Sequence, residues 1–397
     1  MQLDPNRLTP AERHNDGLDY VPTHKGVLFG HHFAAIAGAG PLVGPVLAAQ
    51  MGYLPGTLWI IFGVVFAGAV QDMMVLFVSM RRDGKSLGDI VKQELGTVPG
   101  VIASIGILMI MVIIMAVLAL IVVKALVHSP WGTFTIAATM PIALFMGIYT
   151  RYIRPGKIGE ISIVGFILLM LAVIYGDNVA HSSIGHWFDL DGIQLTWAIM
   201  IYGFVASVLP VWLLLTPRDY LSTFLKIGTI VALAIGILIV SPALQMPAVT
   251  HFIDGSGPVF SGALFPFLFI TIACGAVSGF HALISSGTTP KMLENETHVR
   301  MIGYGGMLME SFVAIMALAA AASLDPGVYF AMNSPAALIG TDANTAAEVI
   351  TTKLQFSVDA ATLLHTAKEV GENTILSRAG GAPTLAVGMA HIMSRLI

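Results

Sequence analysis

Cysteine and charge are what this sequence has least of. A single cysteine, Cys274, stands in 397 residues, which excludes an internal disulfide and leaves no cysteine-based metal cage expected. Asp, Glu, Lys and Arg make up 11% of the chain, where soluble domains carry about 25%. The basic residues are scattered in short clusters, so no continuous positive surface is offered to nucleic acid. Neither an H-E-x-x-H pair nor a nucleophile–base spacing is present, and enzyme chemistry is not expected. Met1 to Lys25 contains no apolar core, so no cleavable signal peptide is visible there.

Apolar residues are what the chain does have. They account for 56% of it, with a mean hydropathy of +0.83. This predicts an all-α, polytopic protein whose main partner is the lipid bilayer. With roughly 20 apolar residues needed per crossing, about ten spans are expected. They lie near 30–50, 57–79, 99–124, 132–149, 158–175, 196–215, 223–240, 263–287, 303–323 and 382–397. Arg7, Arg13 and Lys25, then Arg81, Arg82, Lys85 and Lys92, then Arg151, Arg154 and Lys157 fall on one side of these spans. Arg218, Lys226, Lys291 and Arg300 join them, which places residues 1–27 in the cytoplasm as a tail. Residues 28–323 form the transmembrane core and 382–397 a last span. The polar stretch 324–381 is expected as an external loop with two short amphipathic helices, Asn344–Leu354 and Val358–Gly371.

The first span holds a contradiction. Gly38-Ala39-Gly40-Pro41-Leu42-Val43-Gly44-Pro45 cannot sustain an unbroken helix, because proline removes an amide donor and glycine loosens the backbone. In hydrocarbon, such a break survives only where protein or a wet cavity surrounds it. Broken membrane helices are how many transporters build a substrate site. Pro41 suits the first position of a new half-helix, whose free amides favour an anion such as a substrate carboxylate. Gly38, Ala39, Gly40, Pro41 and Gly44 are therefore candidate substrate-binding residues. The alternative is that the glycines serve close helix packing. A weaker interruption at Ser207-Val208-Leu209-Pro210 occupies the corresponding place in the sixth span, adding Ser207 and Pro210 and suggesting a five-plus-five inverted repeat.

Ionisable residues within spans are costly and mark candidate function. Asp72, beside Gln71, together with His281 and Glu310, falls at similar depth on the assigned topology, where the three could relay a coupling proton. Ser285 and Ser286, with Thr288 and Thr289, offer oxygens to a sodium ion, or else cap their own helix before Pro290. His31 and His32 point in different directions from one helix, so they are expected to gate the cytoplasmic mouth and no metal site is expected there.

Gly30-His31-His32-Phe33-Ala34-Ala35-Ile36-Ala37 running into the Gly38–Pro45 break closely resembles the carbon starvation protein A family of bacterial inner-membrane transporters. Arg13-His14-Asn15-Asp16-Gly17, Gln71-Asp72, the run from Phe280 to Lys291 and Arg378-Ala379-Gly380-Gly381-Ala382-Pro383-Thr384 resemble it as well. The resemblance covers essentially the whole chain. It implies a core of the amino acid/polyamine/organocation type and uptake of peptides during carbon starvation, with pyruvate and a proton carried by close relatives. Family members extend further at both ends, so this chain is expected to be a fragment. The expectation is a secondary active transporter for small carboxylate-bearing nutrients, coupled to a proton, with sodium coupling or a non-transporting sensor or assembly subunit as alternatives. No cofactor is expected, and the oligomeric state is not readable.

Overall fold

A computed structural model describes residues 2–17, 19–154, 157–209 and 213–395. Among them there is no β-strand; one isolated bridge joins Thr23 to Leu293. Six helices are long and apolar enough to cross a bilayer, or seven counting one bent pair as a span. The protein is an all-α, multi-pass membrane protein. The chain divides into two units, residues 1–110 with 230–397, and residues 111–229.

In the first unit, α1 (Lys25–Ile36) and α2 (Gly40–Ala48) form the bent pair, meeting at 48°. The break falls where proline and glycine concentrate. Ala37 leaves helical geometry, Ala39 caps α2 without a side-chain bond, and Pro41 lies in the first turn. Two glycines here are demanded by close approach. A methyl group on Gly40 would lie 2.5 Å from Cys274 Sγ, and one on Gly44 would lie 2.3 Å from the Thr271 carbonyl oxygen. Gly38 has no such neighbour within 4 Å. Break and close packing thus coexist in one segment, each using different glycines.

The next span, α3 (Tyr53–Arg81), contains a π turn at Val64–Gly68, just before Gln71 and Asp72. The stretch expected as one span over 263–287 is instead a chain of short pieces. It contains a π turn at Leu264–Leu268 with a cis Phe265–Pro266 bond, then Phe269–Thr271 and Ala273–Ala276. Val277 and Ser278 are extended before a further short helix, Gly279–Ser285. Gly275, Ser278 and Gly279 account for this second break, since Gly/Ser pairs are a common cause of sharp kinks. The last long span is Glu296–Ala322. Its small residues Ala314, Ala317 and Ala320 to Ala322 are buried, which lets neighbouring backbones approach closely where packing, not hydrophobicity, drives association.

The region 324–381 carries helices at Ala343–Lys353 and Ala360–Glu369. It also holds one that its polarity had hidden, Pro326–Asn333, capped by Asp325 and buried along most of its length. Tyr329 and Phe330 of this helix are fully buried in the largest apolar cluster among the described residues. The Tyr329 hydroxyl donates to the carbonyls of Val46 and Leu47 at 2.9 and 2.8 Å. It thereby steadies the end of the broken-span helix α2.

The N-terminal residues are packed, too. Arg7 and Arg81 both pair with the fully buried Glu296, and the Val21 and Thr23 amides donate to the carbonyls of Lys291 and Met292. Arg13 pairs with Asp83. The basic residues Arg7, Arg13, Arg81 and Lys291 therefore gather at one end of this unit.

The second unit packs Pro130–Ile153 against Gly159–Ala180, with Met146, Ile161, Leu169 and Leu221 as one apolar centre. Gly192–Val208 begins at a capping box of Asp191 and Gln194. It stops at Val208, Leu209 is extended, and helix resumes at Leu215. Pro210, assigned from the sequence to an interruption of the sixth span, lies outside the described residues.

Candidate functional site

The site grows out of the second break. At the Val277–Ser278 opening the Gln71 side-chain amide donates to the carbonyl of Ser278, the residue that starts the next short helix, at 2.6 Å. Gln71 is thereby a backbone partner, which fixes the face of α3 carrying Asp72. His281, one turn into Gly279–Ser285, then points between two carboxylates. Its Nδ1 lies 2.9 Å from Asp72 Oδ2 and its Nε2 lies 2.8 Å from Glu310 Oε2. The first contact is an aligned hydrogen bond; the second is close but out of line with the ring nitrogen. All three side chains are fully buried. Three residues assigned by sequence to one layer are thus joined through His281.

Cys274 completes the group. Its thiol donates to Glu310 Oε1 at 3.3 Å, with Sγ 3.9 Å from His281 Nε2 and 3.8 Å from Ser278 Oγ. Because Cys274 also sits against Gly40, the titratable cluster and the start of α2 are neighbours. Sequence reasoning had passed over Cys274 for being single. Its position seven residues before His281, in a segment rich in glycine and serine, was the available signal.

Several buried polar atoms here have no hydrogen-bond partner among the described residues: Asp72 Oδ1, Glu310 Oε2, Ser285 Oγ and His32 Nε2. Such groups are rare in folded proteins and call for an explanation. Ser286 differs, since its hydroxyl donates to the Ala282 carbonyl at 2.7 Å and so serves its own helix. Thr289 is occupied by His32, whose Nδ1 is 2.9 Å from its hydroxyl. His32 is fully buried, while His31 is half-buried. Gly306 lets the span Glu296–Ala322 pack directly on the His32 ring.

At the start of α2, Gly38, Ala39 and Gly40 are half-buried, Pro41 and Gly44 buried. Among the described residues no side chain caps this helix end. Ser207 belongs to the second unit, where it is exposed and its hydroxyl donates to the Phe204 carbonyl.

The description carbon starvation protein CstA matches residues 1–397. The peptide transporter CstA of Escherichia coli (strain K12) is 69% identical over 398 residues, covering 99% of this chain and 57% of its own length. The pyruvate/proton symporter BtsT of the same strain is 59% identical over 419 residues, covering 100% of this chain and 58% of its own. A peptide transporter CstA from Campylobacter jejuni is 62% identical over 400 residues, at 100% and 56% coverage. The chain therefore spans a little over half the length of these curated relatives. No solved structure matches it.

Proposed function

This chain belongs to the carbon starvation protein CstA family, and from that premise we propose that it forms the substrate and coupling core of a secondary active transporter. The solute is a small carboxylate-bearing nutrient, a peptide or pyruvate, brought across the bacterial inner membrane with a proton. Names borne by the relatives, peptide transporter and pyruvate/proton symporter, support the solute class and the coupling ion. The basic end formed by Arg7, Arg13, Arg81 and Lys291 supports a cytoplasmic N-terminus. The ten-span, five-plus-five core is part of the same proposal.

The observation that carries it is His281 held between Asp72 and Glu310 with all three buried. One imidazolium balances one carboxylate; a second buried negative charge is unaffordable without a further partner. Groups this close share protons as a set and not singly. A proton joining the cluster is the missing partner, which makes the trio a coupling site. The solute carboxylate lies at the uncapped start of α2, where free amides and the helix dipole favour an anion by about 0.3–2 kcal/mol. Cys274 touches both Gly40 and Glu310 and so joins the two sites. Proton coupling is favoured over sodium because the buried group at this site is titratable and a relative bears the name pyruvate/proton symporter.

Uptake of labelled pyruvate and of di- and tripeptides into proteoliposomes tests this. Accumulation that collapses when the imposed proton gradient is dissipated, and is indifferent to a sodium gradient, is expected. Accumulation driven by sodium alone would overturn the coupling assignment. No movement of any of these solutes, by this chain or by one of the relatives' length, would leave the sensor or assembly-subunit reading in its place.

A further inference from the structure

We propose that Cys274, His281 and Glu310 form a binding site for a soft divalent cation of the zinc class, with Asp72 orienting His281 from behind. Thiolate, imidazole and carboxylate are the donor set that zinc prefers. One ligand atom from each of the three residues lies within 4.8 Å of the others. In a tetrahedral site, with metal–sulfur bonds of about 2.3 Å and metal–nitrogen and metal–oxygen bonds of roughly 2.0–2.2 Å, ligand atoms stand about 3.3–3.6 Å apart. Here Sγ to Oε1 is 3.3 Å, Sγ to Nε2 is 3.9 Å and Nε2 to Oε2 is 2.8 Å. Two different Glu310 oxygens make these approaches, so a turn of that carboxylate together with small shifts of the thiol and the ring closes the set on a cation.

Two further features point the same way. The metal takes the lone pair of Nε2, which requires the ring proton on Nδ1, and Nδ1 lies 2.9 Å from the Asp72 carboxylate. A carboxylate behind a ligating histidine is the usual outer-shell arrangement of zinc sites. Glu310 Oε2, buried and without an aligned partner, faces the same point. Ser278 Oγ, 3.8 Å from Sγ, stands at the edge of the fourth position. Binding replaces the thiol proton by the metal and releases it to solvent, with no change of oxidation state.

The binding site stands on ligand geometry alone. Its consequence for transport, that the bound cation occupies His281 and Glu310 and stops uptake, rests on the coupling role proposed above. Cobalt titration of the purified chain in lipid nanodiscs separates the two. The chain has one cysteine, so a thiolate-to-cobalt charge-transfer band can come only from Cys274. The band is expected to saturate at one cobalt per chain and to be bleached by zinc. Cys274→Ser removes the band, and Asp72→Asn keeps it while weakening affinity about 10- to 100-fold. A chain of native helicity that shows no band refutes the site. So does a band unchanged in both His281→Gln and Glu310→Gln. If the band forms but saturating zinc leaves proton-driven uptake intact, the coupling role falls and the metal site stands. Proton-driven uptake without any band sinks only the metal site.

Discussion

Asp72→Asn isolates charge from shape at the centre of the site. The aspartate accepts from His281 Nδ1 at 2.9 Å, with both side chains fully buried. Asparagine has the same size and still offers an oxygen to that N–H, so the ring keeps its orientation. What disappears is the negative charge. A hydrogen bond to a charged group contributes about 1.5–3 kcal/mol and a neutral one about 0.5–1.5 kcal/mol. The difference of roughly 1–2 kcal/mol corresponds to about a 5- to 30-fold change in an equilibrium. Only steps that load or unload the proton should feel it. In proteoliposomes, gradient-driven accumulation of the solute is expected to fall by at least that factor. Counterflow exchange, in which labelled and unlabelled solute swap across a membrane with no proton gradient, is expected to persist at its original rate. Paired measurement on one preparation removes differences in insertion or yield. Equal loss of accumulation and exchange would refute the reasoning, because it would make Asp72 a structural anchor of His281 and nothing more.

Other consequences are structural. Gly44→Ala pushes a methyl group to 2.3 Å from the Thr271 carbonyl oxygen, and overpacking of this kind costs about 1–3 kcal/mol. A lowered Tm is expected, whereas Gly38→Ala, with nothing within 4 Å, should leave Tm unchanged. Tyr329→Phe removes the donor to the Val46 and Leu47 carbonyls, a loss of about 1–3 kcal/mol for buried acceptors. It should show as faster amide exchange at the end of α2. Thr345 holds the exposed Asp342 carboxyl below the usual carboxylate range, through its side chain first and its backbone amide second. A lowered folded-state value means the cap stabilises Ala343–Lys353 above the ordinary range and is lost as pH falls through the lowered one. Amide protection in that helix, taken relative to intrinsic exchange at each pH, should therefore fall below about pH 4, and Asp342→Asn should flatten the dependence.

The sequence made the first break legible because proline and glycine act locally: each removes or loosens hydrogen bonds wherever it sits. It also made Asp72, His281 and Glu310 legible as one layer, since span direction and position along each span fix depth. Lateral contact was not legible, because that depends on how helices rotate and pack. The second break escaped notice for a related reason. Gly275, Ser278 and Gly279 are tolerated in continuous membrane helices, and the contact of Gln71 with the Ser278 carbonyl depends on packing between distant parts of the chain. The helix Pro326–Asn333 was hidden because its flanks are polar. Its burial comes from partners far away in the chain, as the bond from Tyr329 to Val46 demonstrates.

These partners explain why the two breaks lie together. Every opened helix leaves backbone groups that hydrocarbon cannot satisfy, so a break needs donors and acceptors from elsewhere in the protein. Gln71 brings a donor to the backbone at Ser278, beside one opening, and Tyr329 steadies the far end of α2. Polar side chains brought in for the backbone create a less apolar pocket, and an ionisable residue costs less there than against lipid. Asp72 follows Gln71 directly in sequence, His281 follows the Ser278 opening by three residues, and Cys274 precedes it by four. Proximity between the titratable cluster and the uncapped α2 start is thus a product of one economy of hydrogen bonds. A proposed solute carboxylate at α2 and a proposed proton at His281 are then separated only by Cys274 and Glu310. Replacing Cys274 by a bulkier side chain should disturb both sites together, whereas changes at exposed Ser207 should disturb neither.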